Sequence, residues 1–402
     1  MTTRQLDSTQ EDNSAIQYKD SFQTLKAVIV SSAHGFHDMY AGFFAPLLPY
    51  LIERHSLLKV QAGMFLLLYQ GASILQPVIG HIGDRKNLRK YALLMPAVTG
   101  ICLSMLGVAP SFQIGLLLCV IAGISSATMH STLPALVSSL SGNRVGRGMS
   151  FWMVGGEIGV MTGPLLITLI INLFSIEATP WLMVFGLTTS ILLSFLLRGL
   201  EHHQKTEDVS AKLPLRNFAA ILLPLGAIFI MRAPLRTCID LYMPVYLIEN
   251  GVSHWLAGSS VSLLLAFGVL GTITGGYLND KFGNRFVMTI SLISSAIGLT
   301  LFTISSGVFQ SISIAIVGTA SMMLLPVGMV IVQEDFPNNR SLANGLYLAM
   351  FFGINALSGV FTGFLYDQFG GFNTFLWSGF ISLMGIPFIY LLPKKANILP
   401  ER

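Results

Sequence analysis

The chain has 402 residues, of which 53% are hydrophobic and only 10% are charged. Together with a mean hydropathy of +0.69, this composition excludes an ordinary water-soluble protein, whose surface carries many more charges. The net charge of +4 is interpreted as a topology signal, and no nucleic-acid partner is predicted. Cys102, Cys119 and Cys238 all fall in apolar segments, so neither a disulfide framework nor a metal cluster is indicated.

Twelve apolar runs are long enough to cross a bilayer, which takes about 20 residues per helix. They lack the alternating pattern of a membrane barrel. We number them as predicted helices 1 to 12, and they cover residues 27–52, 61–82, 91–109, 112–139, 149–173, 180–197, 217–248, 256–278, 286–306, 309–333, 342–366 and 372–392. The sequence therefore predicts an all-α integral membrane protein with twelve transmembrane helices.

The orientation follows from the distribution of Lys and Arg. The two tails and the connections after even-numbered helices hold 19 of them, whereas the opposite loops hold only Arg54 and Lys59. By the positive-inside rule both termini are cytoplasmic, in a multi-pass protein of the plasma (inner) membrane. The predicted organisation is a cytoplasmic tail at 1–25, a six-helix half at 26–199, a cytoplasmic linker at 200–216, a second six-helix half at 217–393 and a tail at 394–402.

An internal repeat supports the division into halves. Three short motifs recur at a constant separation of 196 positions, namely 50–53 at 246–249, Gly80 and Asp84 at Gly276 and Asp280, and 143–144 at 339–340. Two pseudo-symmetric halves in parallel orientation are the arrangement of transporters that rock one half against the other around a site at the membrane midplane.

The repeated motif also has a family resemblance. The segment at 80–85, followed by Arg89 and Lys90, resembles the signature of the major facilitator superfamily, and 276–285 resembles its second-half counterpart. This resemblance implies the major facilitator fold, with glycines that let helices approach and an ion-pair latch on the cytoplasmic side that breaks when the halves rock. The implied latch residues are Gly80, Asp84, Arg85, Arg89, Gly276, Asp280, Lys281 and Arg285.

Predicted helix 5 contains glycines spaced by four, Gly155, Gly159 and Gly163, followed by Pro164. Such glycines form a flat face for close helix packing. The run resembles the motif of drug:proton antiporters within the superfamily, and that resemblance implies export in exchange for protons.

A finer similarity covers mainly the first half. The Pro-rich exit of predicted helix 1 at 45–49, His130 in predicted helix 4 and the Gly-Pro-Leu-Leu at 163–166 look like the fosmidomycin-resistance group of exporters. Ser131 and Thr132 stand where that group tends to have Pro and Glu, so its coupling chemistry does not transfer to this chain.

Predicted helix 7 carries Arg232, Arg236 and Asp240 at i, i+4 and i+8, on one helix face. Arg within a membrane is costly unless it faces water or a carboxylate. We expect a cationic surface that binds an anionic group such as a carboxylate or phosphonate, with Asp240 orienting Arg236. Two alternatives remain open: an Arg236–Asp240 pair that only stabilises packing, or a helix that begins later and leaves Arg232 near the membrane interface.

The 196-residue offset maps this Arg face onto Tyr40 and its neighbours in predicted helix 1. On a helical wheel His37 lies close to that face and Asp38 nearly opposite. His37 and Tyr40 are therefore predicted to contact the substrate. Other polar side chains predicted to contact the substrate are those of Gln70, Tyr242 and Asn355.

Ionisable residues inside membrane segments are costly, and each is therefore treated as a candidate functional residue. Glu157, Asp38, His37 and His130 are predicted to carry the coupling proton, and His34 is a further titratable group. For each His and for Glu157, a hydrogen bond that only joins two helices stays open. Glu157 lies on the far side of its helix from the glycines, facing either the cavity or helix 1.

The resulting hypothesis is a proton-coupled secondary transporter that exports a small anionic or amphiphilic compound, in the manner of antibiotic efflux. The alternative is a proton-coupled importer of an organic anion, because alternating access has no built-in direction. No HExxH and no phosphate-cradling Gly-x-x-x-x-Gly-Lys motif is present, so neither an enzyme nor ATP coupling is predicted. Cofactors and metals are not expected; the predicted partners are a small molecule, protons and the lipid bilayer, and the expected state is a monomer.

Overall fold

The structure, a computed structural model, describes residues 22–85, 88–142, 144–197, 215–336 and 340–392. Every regular element in these ranges is a helix, which confirms the predicted all-α fold. Most of the predicted linker at 200–216 and nearly all of both predicted tails lie outside the described residues.

The elements combine into twelve spanning helices, which we name α1 to α12. The first half contains α1 (Thr24–Asp38, Met39–Phe43, Phe44–His55), α2 (Lys59–Gly71, Ala72–Leu75, Gln76–Arg85), α3 (Arg89–Met105, Leu106–Val108), α4 (Phe112–Leu140), α5 (Val145–Leu173) and α6 (Ile176–Leu182, Met183–Leu196). The second half contains α7 (Leu215–Thr237, Cys238–Tyr242, Met243–Glu249), α8 (His254–Phe282), α9 (Asn284–Ile304), α10 (Gly307–Met322, Leu324–Asp335), and α11 and α12, which share Arg340–Leu383 on either side of Gly370 and end with Ile386–Ile389.

Ten stretches of the described chain are long and apolar enough to span a membrane. One of them, Gly345–Ile389, is interrupted by Gly370, whose φ of 75° is not helical, and therefore makes two spans. The remaining span is α1, which is interrupted by the 3-10 turn Met39–Phe43. The prediction of twelve transmembrane helices is confirmed.

The pseudo-equivalent helices α1 and α7 both lose regular α-helical geometry in mid-membrane. In α1 the 3-10 turn begins directly after Asp38, and in α7 the π turn Cys238–Tyr242 contains Asp240. Such local changes of helix type occur often at functional sites because they redirect side chains and expose backbone groups. Both carboxylates thus lie where their helix changes geometry.

The glycine face of α5 packs directly on α1. A Cβ added to Gly35 of α1 would lie 2.7 Å from the carbonyl oxygen of Gly155, a distance that real Cβ atoms do not show. The contacts along this seam pair Gly155 with Ser31, Gly159 with Gly35, Gly163 with Met39, and Pro164 with Gly42. The small residues therefore allow backbone contact between the two helices.

The two halves meet mainly at one end of the bundle. We call the end that carries residues 22 and 392 the termini end, and the opposite end the loop end. At the loop end α2 packs on α11, α5 on α8 and α1 on α7. Here the backbones of Gly63 and Gly359 touch, with an added Cβ on Gly359 lying 3.1 Å from the Gly63 carbonyl.

The halves separate toward the termini end. The segment of α2 from Gln76 to Arg85 packs mainly on α4 of its own half. Cβ atoms added to Gly276, Gly345 or Gly353 would meet nothing within 4 Å. The side chain of Val78 is 57% exposed. The space between the halves therefore opens at the termini end.

Candidate functional site

The loop end is closed by polar contacts that cross between the halves. The Asp367 carboxylate of α11 accepts the backbone N–H groups of Lys59 and Val60, at 2.9 and 2.8 Å, at the N-terminus of α2. The Lys59 ammonium lies 2.9 Å from the carboxylate of Glu249 in α7, and the Tyr366 hydroxyl donates to the same carboxylate at 2.5 Å. A carboxylate at a helix N-terminus is favoured by the helix dipole as well as by its hydrogen bonds.

Tyr242 belongs to this closure and not to a substrate site. Its hydroxyl contacts the carbonyl oxygens of Lys59 at 2.8 Å and of Gly359 at 2.9 Å. This placement corrects the prediction that Tyr242 faces the substrate. Tyr242 is the last residue of the π turn in α7.

The charged face of α7 forms a compact group with α10. Arg236 forms an ion pair with Asp240 and donates to the Ser321 hydroxyl at 3.0 Å, while Arg232 donates to the Ser321 carbonyl. Arg232 and Arg236 are 2% and 7% exposed, whereas the Asp240 side chain is 34% exposed. The carboxylate forms the accessible edge, and the rest of the predicted cationic surface is largely covered by the protein.

This α7 group has two guanidinium ions and one paired carboxylate. The Nε atoms of Arg232 and Arg236 and the Oδ1 atom of Asp240 are buried without a hydrogen-bond partner among the described residues. Buried polar atoms are nearly always satisfied, and an excess charge in a low-dielectric medium is costly. The group can therefore bind an anion whose oxygen atoms accept hydrogen bonds from the guanidinium groups.

A second polar group joins α1 to α4. The Asp38 carboxylate lies 3.0 Å from Nε2 of His34, 2.9 Å from Nδ1 of His37 and 3.4 Å from Nε2 of His130. The Nε2 atoms of His34 and His130 are themselves 3.1 Å apart. We call these four residues the His–Asp group.

Backbone carbonyls fix two of the imidazole tautomers. Nδ1 of His34 donates to the Trp152 carbonyl at 2.8 Å, and Nδ1 of His130 donates to the Ser126 carbonyl at 2.9 Å. The His34 ring also stacks on Trp152 with centroids 3.6 Å apart. A neutral imidazole with its hydrogen on Nδ1 has an unprotonated Nε2, so two lone pairs point toward Asp38.

The third imidazole is oriented by hydroxyl groups. The Ser125 hydroxyl donates to the Met95 carbonyl at 2.9 Å and accepts from Thr99 at 2.8 Å. Thr99 therefore accepts the Nε2–H of His37 at 3.0 Å, which leaves Nδ1 of His37 facing Asp38. The described chain thus directs three ring nitrogens at one carboxylate.

The predicted orientation of α1 needs correction. Tyr40 and His37 are both 0% exposed, and the Tyr40 hydroxyl donates to the Leu182 carbonyl at 2.8 Å and accepts from the Gly186 amide at 2.7 Å, both in α6. Asp38 instead is partly accessible, with 14% of its side chain exposed. The prediction assumes that the Arg face of α7 lines the cavity, whereas Arg232 and Arg236 are buried against α10, and the equivalent face of α1 is buried as well.

Glu157 belongs to α5. Its side chain is exposed, on the side of α5 away from the glycine seam with α1. The titratable and charged groups that act on it are Asp38 and His34 of α1 and Arg236 of α7. Glu157 therefore interacts electrostatically with both halves. Gln70 and Asn355 are half-buried, and the Oε1 atom of Gln70 is buried without a partner among the described residues.

The implied latch is described only in part. The side chains of Asp84, Arg85 and Arg89 lie outside the described residues. Arg285 donates to the carbonyl oxygens of Tyr390 and Leu392 at the end of α12, at 3.0 and 2.5 Å.

The other latch residues are found at the termini end of the bundle. Lys281 lies 5.2 Å from the Phe282 ring centroid, and Asp280 is exposed. Gly80 and Gly276 make no close interhelical approach in this state, in which the halves are separated at the termini end.

The chain matches the profile of the Major Facilitator Superfamily over residues 30–272 and 225–401. It belongs to this superfamily. The superfamily consists of transporters, and the spanning helices together with bacterial relatives support a multi-pass protein of the inner membrane.

Two relatives align over nearly their whole length. The uncharacterized MFS-type transporter YfnC of Bacillus subtilis (strain 168) is 29% identical, and the alignment covers 92% of this chain and 93% of that protein. The fosmidomycin resistance protein of Escherichia coli (strain K12) is 26% identical, and the alignment covers 94% of this chain and 95% of that protein.

Solved structures with this fold include a mutant of the nucleoside transporter NupG, with a TM-score of 0.78, 15% identity and coverage of 92% of this chain and 100% of that one. A bacterial homologue of the human lysosomal transporter Spinster, in an inward-facing and occupied conformation, has a TM-score of 0.77, 17% identity and coverage of 92% and 97%. At these identities the similarity shows the fold alone.

The sequence did not predict the polar closure, and it did not predict that the residues of the His–Asp group contact one another. Lys59 was counted only as a loop charge and Glu249 only as part of a repeated motif, and no prediction was made for Asp367. Likewise, no metal site was predicted, but the His34, Asp38 and His130 ligand atoms lie within 4.8 Å of one another. His34 and Asp38 are four residues apart on α1, a spacing that the sequence shows, but His130 belongs to α4 and no sequence pattern connects it with them.

Proposed function

We propose that this protein is a proton-coupled secondary transporter that exports a small anionic or amphiphilic compound by alternating access. The observation that carries the proposal is the α7 group, in which two buried guanidinium ions stand beside a single carboxylate, paired with Arg236, and the buried Nε atoms have no partner among the described residues. A carboxylate or phosphonate supplies the acceptor oxygens and the negative charge that this group lacks.

Orientation and relatedness support the direction of export. With both termini cytoplasmic, as the positive-inside rule predicts, the space between the halves opens to the cytoplasm, from which an exporter loads its substrate. The related Escherichia coli protein is named for fosmidomycin resistance, which favours antibiotic-type efflux for this chain too.

We assign the coupling proton to Glu157. A proton is coupled to alternating access only if its binding site differs in affinity between the two conformations. Glu157 interacts with Asp38 and His34 of the first half and with Arg236 of the second, so its surroundings change when the halves rock. The partners of Asp38 are His34, His37 and His130, which all belong to one half and keep their places when that half moves as a body.

A second candidate is the proton-coupled importer of an organic anion, and one observation favours it. Ionised Glu157 attracts Arg236 and so competes with an anionic substrate, whereas protonated Glu157 leaves Arg236 to that substrate. Proton and anion binding then favour each other, and this mutual coupling moves both in the same direction.

Flux under an imposed pH gradient distinguishes the candidates. The purified chain would be reconstituted in liposomes and tested with labelled carboxylates and phosphonates. Exchange drives the anion toward the more acidic compartment, and co-transport drives it toward the more alkaline one. Glu157→Gln is expected to abolish the dependence on the gradient, while Glu53→Gln, at an exposed acid near the loop end of α1, leaves it intact. Flux by the wild type that ignores the gradient, or gradient dependence that persists in Glu157→Gln, would contradict proton coupling through this residue.

A further inference from the structure

We propose that His34, Asp38 and His130 form a binding site for a divalent transition-metal ion on the wall of the space between the halves. The site is separate from the α7 group, and Glu157, which interacts with Asp38 and His34, is not one of its ligands. Its existence does not depend on the direction of transport or on the nature of the anion.

The distances between the candidate ligand atoms fit a shared metal ion. Metal–ligand bonds of about 2.0–2.2 Å, at angles between octahedral and tetrahedral, place neighbouring ligand atoms about 3.0–3.5 Å apart. The observed separations are 3.0 Å from His34 Nε2 to Asp38 Oδ2, 3.1 Å between the two Nε2 atoms and 3.4 Å from His130 Nε2 to Asp38 Oδ1. Because each nitrogen is close to a different carboxylate oxygen, Asp38 would bind the ion through both of its oxygens. Two imidazoles and one carboxylate are also the ligand set of open transition-metal sites with free coordination positions.

The surrounding hydrogen bonds prepare these atoms for a metal. Both Nδ1–H groups are held by backbone carbonyls, those of Trp152 and Ser126, so both Nε2 lone pairs are directed inward. Ligating histidines usually donate their other ring N–H to a carbonyl or carboxylate, which fixes tautomer and ring orientation. Without a bound cation, the Nε2 atoms of His34 and His130 and the Asp38 carboxylate would face one another, and all of them would be hydrogen-bond acceptors.

Charge and access agree with this assignment. A divalent cation offsets the Asp38 carboxylate in a low-dielectric region, where an unpaired charge is costly. The Asp38 and His130 side chains are 14% and 28% exposed, and His34 is 5% exposed. An ion can therefore reach the site from the side of Asp38 and His130, whereas the buried His34 forms the inner wall of the site.

Metal binding to the purified full-length chain tests the proposal. After treatment with a chelator and its removal, Zn²⁺ would be titrated by calorimetry, and Co²⁺ binding would be followed through its visible absorption bands. We expect one ion per chain. His130→Asn and Asp38→Asn should each weaken Zn²⁺ binding by more than about 100-fold, the upper end of the loss caused by changing an outer-shell partner. His254→Asn, at a loop-end residue that packs on Tyr50 with ring centroids 4.9 Å apart, is the matched control and should bind as the wild type does.

Thermal unfolding in metal-free buffer separates lost binding from lost folding. We expect the unfolding temperature of His130→Asn without metal to match the wild type, and Zn²⁺ to raise it only in the wild type and in His254→Asn. Absence of stoichiometric binding by the wild type would overturn the proposal. Wild-type affinity in the folded His130→Asn variant would do the same, because the ion would then lie elsewhere.

Discussion

The polar contacts that close the loop end lead to a prediction about the balance between closed and open conformations. In Asp367→Asn the side chain loses its charge and keeps only one carbonyl oxygen. In the wild type the two carboxylate oxygens accept the Lys59 and Val60 amides at 2.9 and 2.8 Å across the two halves. The substitution turns one accepting oxygen into an NH2 group, which cannot accept from the amide that faces it.

The size of the effect follows from these contacts. A hydrogen bond to a charged group contributes about 1.5–3 kcal/mol, and the charge at a helix N-terminus contributes about 0.3–1 kcal/mol more. A loss of about 2–4 kcal/mol is therefore expected in the free energy that favours the closed loop end. Since 1.4 kcal/mol is a factor of ten, the ratio of closed to open conformers should fall by about 30- to 1,000-fold.

Distance measurements between spin labels report this ratio. Labels at Leu173 and Phe372, which are 61% and 50% exposed and lie near the loop end of opposite halves, should show one short distance in the wild type. Asp367→Asn should add a longer distance, whereas Glu53→Gln at the same end should not. An unchanged distance distribution in Asp367→Asn would refute the reasoning that this carboxylate holds the halves together.

Three further changes test other parts of the structure. Gly159→Val places methyl groups against the backbone of α1 and should destabilise the protein by about 1–3 kcal/mol or more, which would be measured as a lower unfolding temperature. The control Gly276→Ala adds a methyl group in open space and should leave the unfolding temperature unchanged. Lys59→Gln removes a half-exposed pair with Glu249 of about 0.2–1 kcal/mol, so its spin-label distances should shift less than those of Asp367→Asn. Arg236→Lys keeps the charge but loses the planar guanidinium group that contacts both Asp240 and Ser321, so it should reduce anion flux and lower the unfolding temperature by less than Gly159→Val does.

The twelve helices and the two halves could be predicted because both depend on local signals. Hydropathy identifies each span, and the 196-residue repeat relates one half to the other. The glycine face of α5 could also be predicted, because a spacing of four places Gly155, Gly159 and Gly163 on one side of any regular helix. In the structure this face contacts the backbone of α1.

The orientation of α1 could not be predicted, because it was inferred from the Arg face of α7, and that face is itself buried against α10. The 196-residue offset assigns Tyr40 to the cavity, whereas the structure buries it against α6. Likewise, Asp38 meets His130 across 92 residues of sequence, and Lys59 meets Asp367 across 308. Contacts between such distant segments depend on how the helices pack, and no local pattern encodes them.

The central claim, that the α7 group binds an anion, is tested most directly by comparing a small acid with its neutral ester. The acid would be one carboxylate or phosphonate that the reconstituted wild type transports, and binding would be measured by calorimetry to the wild type and to Arg236→Lys. A hydrogen-bonded charge contact is expected to contribute about 1.5–3 kcal/mol, so the acid should bind the wild type about 10- to 150-fold more tightly than the ester, and Arg236→Lys should lose most of that difference. Equal binding of acid and ester to the wild type would contradict the account.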